Sequence, residues 1–208
     1  VNEGFRHKDG VLMRKLVSFA FIAVMMFTAS ASSSSDCKIA IHVQPHANPS
    51  CNRLPTLDGC LDIEHTYTGC EDVDVFPVVY DISGLTGIEV GITWPDSWGS
   101  CAFRPCGFDL LIHGEITNPG DYLAGTWTEC QYVNSVVAGY GWLAPTSAGR
   151  VCPFSSPTGF MGVTDCGYTK HEASAVFCAG VCGAEGDNPC GGGISEDKTW
   201  GSIKSMYR

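Results

Sequence analysis

His42, His46 and Cys51 lie within one short stretch, and all three are residue types that hold zinc. In an oxidising compartment the simpler expectation is that Cys51 is disulfide-bonded and both histidines are surface residues. Glu71, Asp72 and Asp74 gather oxygen ligands of the kind calcium takes, just ahead of a β-branched run. No EF-hand loop accompanies them, and the ligand count is low, so a solvated acidic loop is the plainer reading. Asp109 with Glu115, or Asp165 with Glu172, are carboxylate pairs from which a glycoside hydrolase could be built. Twenty acidic residues after position 31 make such pairs easy to nominate and weak as a signal. "KHEAS" sets His171 beside Glu172 but offers no second histidine at metalloprotease spacing. The chain has no G-x-S-x-G elbow, Walker loop, G-x-G-x-x-G or C-x-x-C, so nothing calls for a cofactor, a metal or a catalytic residue.

The aromatic residues invite binding rather than catalysis. Trp94, Trp98, Trp127, Tyr140 and Trp142 fall on or beside strand-like runs. Exposed rings on such a scaffold would stack on sugar faces, whereas buried ones would fill a small core. Trp98, in the loop-like "SWGS", is the first expected exposed ring, with Tyr140 and Trp142 beside it as expected glycan contacts. At the other end of the chain, Gly191 to Gly193 form a joint ahead of "TWGSIKSMYR". Thr199 can cap a helical turn that sets Trp200, Ile203 and Tyr207 on one face, with Lys204 near its end. So short a helix is not stable alone. It must pack on its own body or on a partner, so a receptor protein is an expected partner of this tail.

These groups need a frame, and composition says which kind. "LMRKLVSFAFIAVMMFTASA" has a basic start, a short apolar run and a small-residue cleavage site, the layout of a secretory signal. The apolar run falls short of a membrane span. Residues 1–12 are read as an upstream segment that is not translated, and 13–31 as the signal peptide, leaving no membrane span after cleavage. All 12 cysteines follow it, which reads as a disulfide framework. Roughly ten thousand pairings are open. Short-range candidates are Cys101 with Cys106 and Cys182 with Cys190, while Cys51, Cys60 and Cys70 are expected to staple the early loops. Residues 32–197 carry five basic side chains against twenty acidic ones, so nucleic acid and anionic lipid are disfavoured as partners. The tail, with Lys198, Lys204 and Arg208, is basic.

The body itself reads as strands. "KIAIHVQ" alternates, "DVFPVVYDIS" and "IEVGITW" look like a hairpin across "GLTG", and "FDLLIHGEI" is a further strand. Pro77 suggests an edge or a bulge. "GTWTECQ", "NSVVAGYGWLA", "GRVCPF", "GFMGVTDC" and "ASAVFC" continue the series, and no ten-residue stretch of the body has helical periodicity. The expected fold is all-β: a disulfide-stapled antiparallel β-sandwich over 32–190, a Gly/acidic linker at 191–197, and a short helical tail at 198–208.

"CKIAIHV", "DVDVFPVVYD", "TGIEVGITWP", "NPGD" with "TWTEC", and the terminal "TWGSIKSMYR" together resemble a group of Cys-rich secreted bacterial proteins with no assigned activity. "VVYDISGLTGIEVGITWP" is also similar to the early strands of cohesin-type modules, which implies a cohesin-like or Ig-like sandwich. The expectation from residues and resemblance together is a secreted, non-enzymatic binding, adhesive or cell-surface structural module. Extracellular space, cell surface and periplasm all fit it. A carbohydrate-binding module and a secreted hydrolase are the alternatives.

Overall fold

The computed structural model describes residues 36–100, 103–114 and 116–191. The expected signal peptide, Cys101, and the tail with Trp200, Ile203, Lys204 and Tyr207 lie outside the described residues. In chain order the strands are β1 (Lys38–Pro45), β2 (Thr66–Tyr67), β3 (Val73–Tyr80), β4 (Leu85–Thr93), β5 (Gly99–Ser100), β6 (Arg104–Pro105), β7 (Leu110–His113), β8 (Tyr122–Gln131), β9 (Ser135–Val137), β10 (Gly139–Ala144), β11 (Gly149–Phe154), β12 (Gly162–Asp165), β13 (Lys170–Glu172), β14 (Ala175–Phe177) and β15 (Ala179–Val181). Two 3-10 turns, Cys51–Arg53 and Cys60–Asp62, interrupt the early loops.

The strands form two sheets. The first runs β14-β1-β3-β10-β5, with β9 also on β3 and β6 also on β10. The second runs β13-β12-β4-β11-β15-β2, with β8 on β4 and β7 on β8. Pairing is mostly antiparallel, but β1 with β14 and β15 with β2 are parallel, which departs from the purely antiparallel expectation.

The hairpin expected from "DVFPVVYDIS" and "IEVGITW" does not form. β3 pairs with β1 across a register running from Lys38 opposite Tyr80 to Pro45 opposite Val73, while β4 pairs with β8, β11 and β12 in the other sheet. The turn between β3 and β4 is therefore a crossing from sheet to sheet. Two runs with strand patterning need not pair with each other, because each can find a better apolar surface elsewhere.

β3 is buried along its whole length, and the reason lies in strand periodicity. Val73, Val75 and Val79 point into the core that the two sheets share, with Ile39, Ile41, Ile88, Val90, Ile92 and Leu123. Val78 and Tyr80 point the other way, into a second cluster with Ala40, Leu57, Ile63 and Phe177. A strand covered on both faces needs no polar alternation. Pro77 is not at an edge. It sits opposite Ile41, at the point where β10 stops pairing with β3 and β9 begins, and its carbonyl accepts the N–H of Ala138 at 2.9 Å. A residue lacking an N–H is tolerated there because the ladder already breaks.

Among the described residues five disulfides tie this frame: Cys51–Cys106, Cys60–Cys190, Cys70–Cys182, Cys130–Cys166 and Cys152–Cys178. Both short-range pairings are overturned. Cys106 reaches back to Cys51, and Cys182 and Cys190 reach back to Cys70 and Cys60. Proximity in sequence was a poor guide because the segment after β15 returns to the early loops. Tyr80, wholly buried, donates its hydroxyl to the carbonyl of Pro189 at 2.8 Å and fixes the same return. Burial holds that phenol neutral, well above the ordinary tyrosine range.

The Cys60–Cys190 bridge spans 130 residues, so in the chain-entropy view its loss releases a large denatured-state ensemble. Replacing both residues by serine is expected to lower unfolding free energy by about 4 kcal/mol in guanidinium titrations. A change under about 1 kcal/mol would show that Tyr80 and the loop packing hold this end without it.

Candidate functional site

The residues suited to chemistry do not converge. His42 is buried beside Phe76, and its Nδ1 accepts the N–H of Glu64 at 2.9 Å. His46 Nδ1 lies 2.6 Å from Oδ1 of Asp74, whose other oxygen accepts the Ala47 N–H at 2.9 Å. Cys51 is in its disulfide with Cys106, so the three cannot make a zinc site. The acidic trio is likewise divided. Asp74 is fully buried under its hydrogen bonds, whereas Glu71 accepts the Tyr67 hydroxyl at 2.7 Å. Among the described residues no three His, Cys, Asp or Glu side chains gather as a metal site would require.

Asp109 and Asp165, named as hydrolase candidates, are engaged in hydrogen bonds, Asp109 across to β8 and Asp165 within its own turn. Asp109 Oδ2 accepts both the N–H and the hydroxyl of Thr128, each at 2.7 Å, and these bonds hold its pKa below the usual carboxylate range. Asp165 accepts His171 Nε2 at 2.7 Å and the N–H groups of Gly167 and Thr169 at 2.8 Å. Its pKa is also lowered, first by His171 and then by the Thr169 N–H. A general acid needs the opposite shift. Glu115 lies outside the described residues.

The aromatic prediction needs correction. Trp98 is buried: the turn that bonds its N–H to the Pro95 carbonyl folds the indole back over Gly149. A Cβ at position 149 would lie 2.7 Å from that ring, so the glycine makes the space. "SWGS" is a loop, as read, but a loop that closes onto the core. Tyr140 and Trp142, on β10, are half-buried, and Trp142 packs against the His46 ring with 5.7 Å between centroids. The three do not form an exposed platform.

Among the described residues two tyrosine rings stand exposed, neither of them among the aromatics expected to bind. Tyr132 is 79% and Tyr168 77% exposed. Each stands two residues beyond a half-cystine, in "CQY" and "CGY", and those cysteines, Cys130 and Cys166, are joined to each other. A Cβ built on Gly84 would meet both sulfurs and the Tyr132 ring within 3.3 Å, so the bridge and that ring share one contact point. Tyr168 is held at φ +63°, the left-handed region that bulky residues avoid. The Asp165 hydrogen bonds to Gly167, Thr169 and His171 close the turn that fixes it there. The repeated Cys-x-Tyr was the signal available in the sequence. Beside Tyr132, Val133 and Asn134 line an open groove of about 410 Å³ whose far wall is Pro55, Thr56, Leu57 and Asp58.

The other unusual surface is β7. It pairs with β8 alone among the described residues, and all four of its residues are exposed. Leu110, Leu111 and Ile112 are 60%, 45% and 67% exposed. Successive strand residues face opposite ways, so β7 overhangs the core on both faces. It is steadied by stacking of His113 on Tyr122, 4.2 Å between centroids, and by a tilted contact of Phe108 with Trp127 at 4.5 Å.

Neither a protein-family model, nor a curated protein, nor a solved structure matches the chain. Function must be argued from these surfaces. Among the described residues no helix is long and apolar enough to cross a membrane.

His42 yields a pH prediction. Burial pushes its pKa below the ordinary histidine value, against smaller opposing effects of Gln44 and Glu64. A base whose folded pKa is depressed takes up its proton on unfolding. Stability is therefore full above the unfolded value of about 6.5 and falls as pH drops below it. The denaturation midpoint is expected to decline from pH 7.5 to pH 5.5, and to decline less in His42→Asn, which keeps a short acceptor but cannot titrate. Parallel pH dependence in the two proteins would remove His42 as the cause.

Proposed function

We propose that the chain is a secreted, non-enzymatic, disulfide-stapled β-sandwich of cohesin-like or Ig-like type that acts as a protein-binding or surface-assembly module. The observation that carries this reading is the run Leu110, Leu111, Ile112 on an edge strand. Natural edge strands are usually blunted by lysine, proline or a cover, because an open edge pairs with other chains. β7 has none of the first two, and its exposed leucine and isoleucine side chains are the kind of patch that marks interaction surfaces.

The occupant we assign is a segment with apolar and basic side chains, because residues 32–197 carry twenty acidic side chains against five basic ones. Residues 198–208 have that composition, with Trp200, Ile203, Met206 and Tyr207 beside Lys198, Lys204 and Arg208. Docking of this segment from one copy onto β7 of the next would make the module an assembling one, and would give the expected receptor partner a concrete site. The five disulfides are compatible with export to an oxidising compartment.

The test is light scattering across a concentration series on the full chain after the signal. It is compared with Leu111→Lys and with a form ending at residue 193. Self-association that disappears in both variants is the expected result. A monomeric parent, or association unaffected by either change, would sink the reading.

A further inference from the structure

We propose that Tyr132 and Tyr168 form a saccharide-binding platform over the Cys130–Cys166 bridge, with the neighbouring groove supplying polar contacts. This goes beyond docking at β7 and does not depend on it. Three observations converge. First, both rings are more than three-quarters exposed, although each backbone is anchored next to a half-cystine. A fixed backbone with an exposed ring suits stacking on a ligand, because little loop ordering is left to pay for on binding.

Second, Tyr168 sits at φ +63° with its ring in solvent. Folding alone favours glycine or asparagine there. A tyrosine adds strain and gains little burial in return. Third, the groove that begins at Val133 and Asn134 is lined by Thr56, Asp58 and Asn134, which carry a hydroxyl, a carboxylate and an amide. Its volume of about 410 Å³ lies within the range of small-ligand sites.

The chemistry that fits is a neutral saccharide. A pyranose presents an apolar C–H face, which suits a tyrosine ring, and a rim of hydroxyls. Those hydroxyls can donate to the Asp58 carboxylate and both donate to and accept from the Asn134 amide and Thr56 hydroxyl. The Asp58 carboxylate and the acidic surroundings disfavour an anionic ligand.

The experiment is affinity electrophoresis of the full chain after the signal through native gels containing hydroxyethylcellulose, xyloglucan, glucomannan, laminarin or xylan, each uncharged or nearly so. Retardation in at least one gel is expected, with binding roughly tenfold weaker on Tyr132→Ala and on Tyr168→Gly. Tyr168→Gly separates binding from folding, because glycine suits φ +63° and the variant should melt no lower than the parent. Absence of retardation across the panel overturns the proposal. So does equal retardation of the parent and the Tyr132→Ala/Tyr168→Gly double variant, which would place any saccharide or peptide contact elsewhere. The Leu111→Lys variant should be retarded like the parent, so failure at β7 and failure here read out separately.

Discussion

The return of the segment 178–190 to the early loops is the constraint on which the rest of the structure depends. β1, β3, β4 and β8 are long enough to carry extended ladders, but β2, β9, β13, β14 and β15 have three residues or fewer. Strands of that length contribute few hydrogen bonds and little burial, and would fray alone. Cys152–Cys178, Cys70–Cys182 and Cys60–Cys190 fix the chain beside β2, β14 and β15, three of these short strands. Gly180 and Gly186 show how tightly that segment lies. A Cβ on Gly186 would come within 1.7 Å of the His65 carbonyl, and one on Gly180 within 2.1 Å of the Ala184 carbonyl. Only bare backbone fits between the cross-links.

Much of the frame was legible in local sequence. "KIAIHVQ" covers β1 but for Pro45, "DVFPVVYDIS" covers β3 but for Val73, all of "IEVGITW" but its tryptophan lies in β4, and the absence of helical period matches the all-β body. Local pattern reports which residues are extended but not which strands they meet. Register depends on surfaces far away in sequence, and so the hairpin expectation failed while each of its strands was read correctly. The cysteines failed for the same reason. Their pairing is decided by the three-dimensional return of the chain, which no spacing encodes.

The candidate sites were harder to read because size and hydrophobicity mislead about exposure. Trp98 is the larger and more conspicuous aromatic, and for that reason it is the one with most to gain from burial. The glycine at 149 that admits its ring lies fifty residues away and carries no local sign of its purpose. Tyr132 and Tyr168 are ordinary residues in ordinary loops until the disulfide joins their neighbourhoods. Leu110 to Ile112 read as a strand, correctly, yet an apolar run in sequence cannot say that both its faces remain uncovered.

The energetics of Tyr168 tie local strain to the proposed activity. A non-glycine residue in the left-handed region costs on the order of 1 kcal/mol or more, and a strained conformation persists only where its surroundings over-determine it. Here they do: Asp165 accepts from Gly167, Thr169 and His171, and Cys166 is covalently fixed. A ring that is 77% exposed recovers little of that cost through burial. Glycine holds the left-handed positions 107, 120, 159 and 183, and Asn48, Asp81 and Cys182 adopt the same region, but of these residues only Tyr168 carries a large aromatic ring. The difference between the four glycine turns and this one is the presence of a side chain, carried on a fixed backbone and exposed to solvent. A fixed backbone loses less entropy on stacking than a mobile loop, so the strain in the turn fits the proposed binding surface, while so exposed a ring adds little to the core.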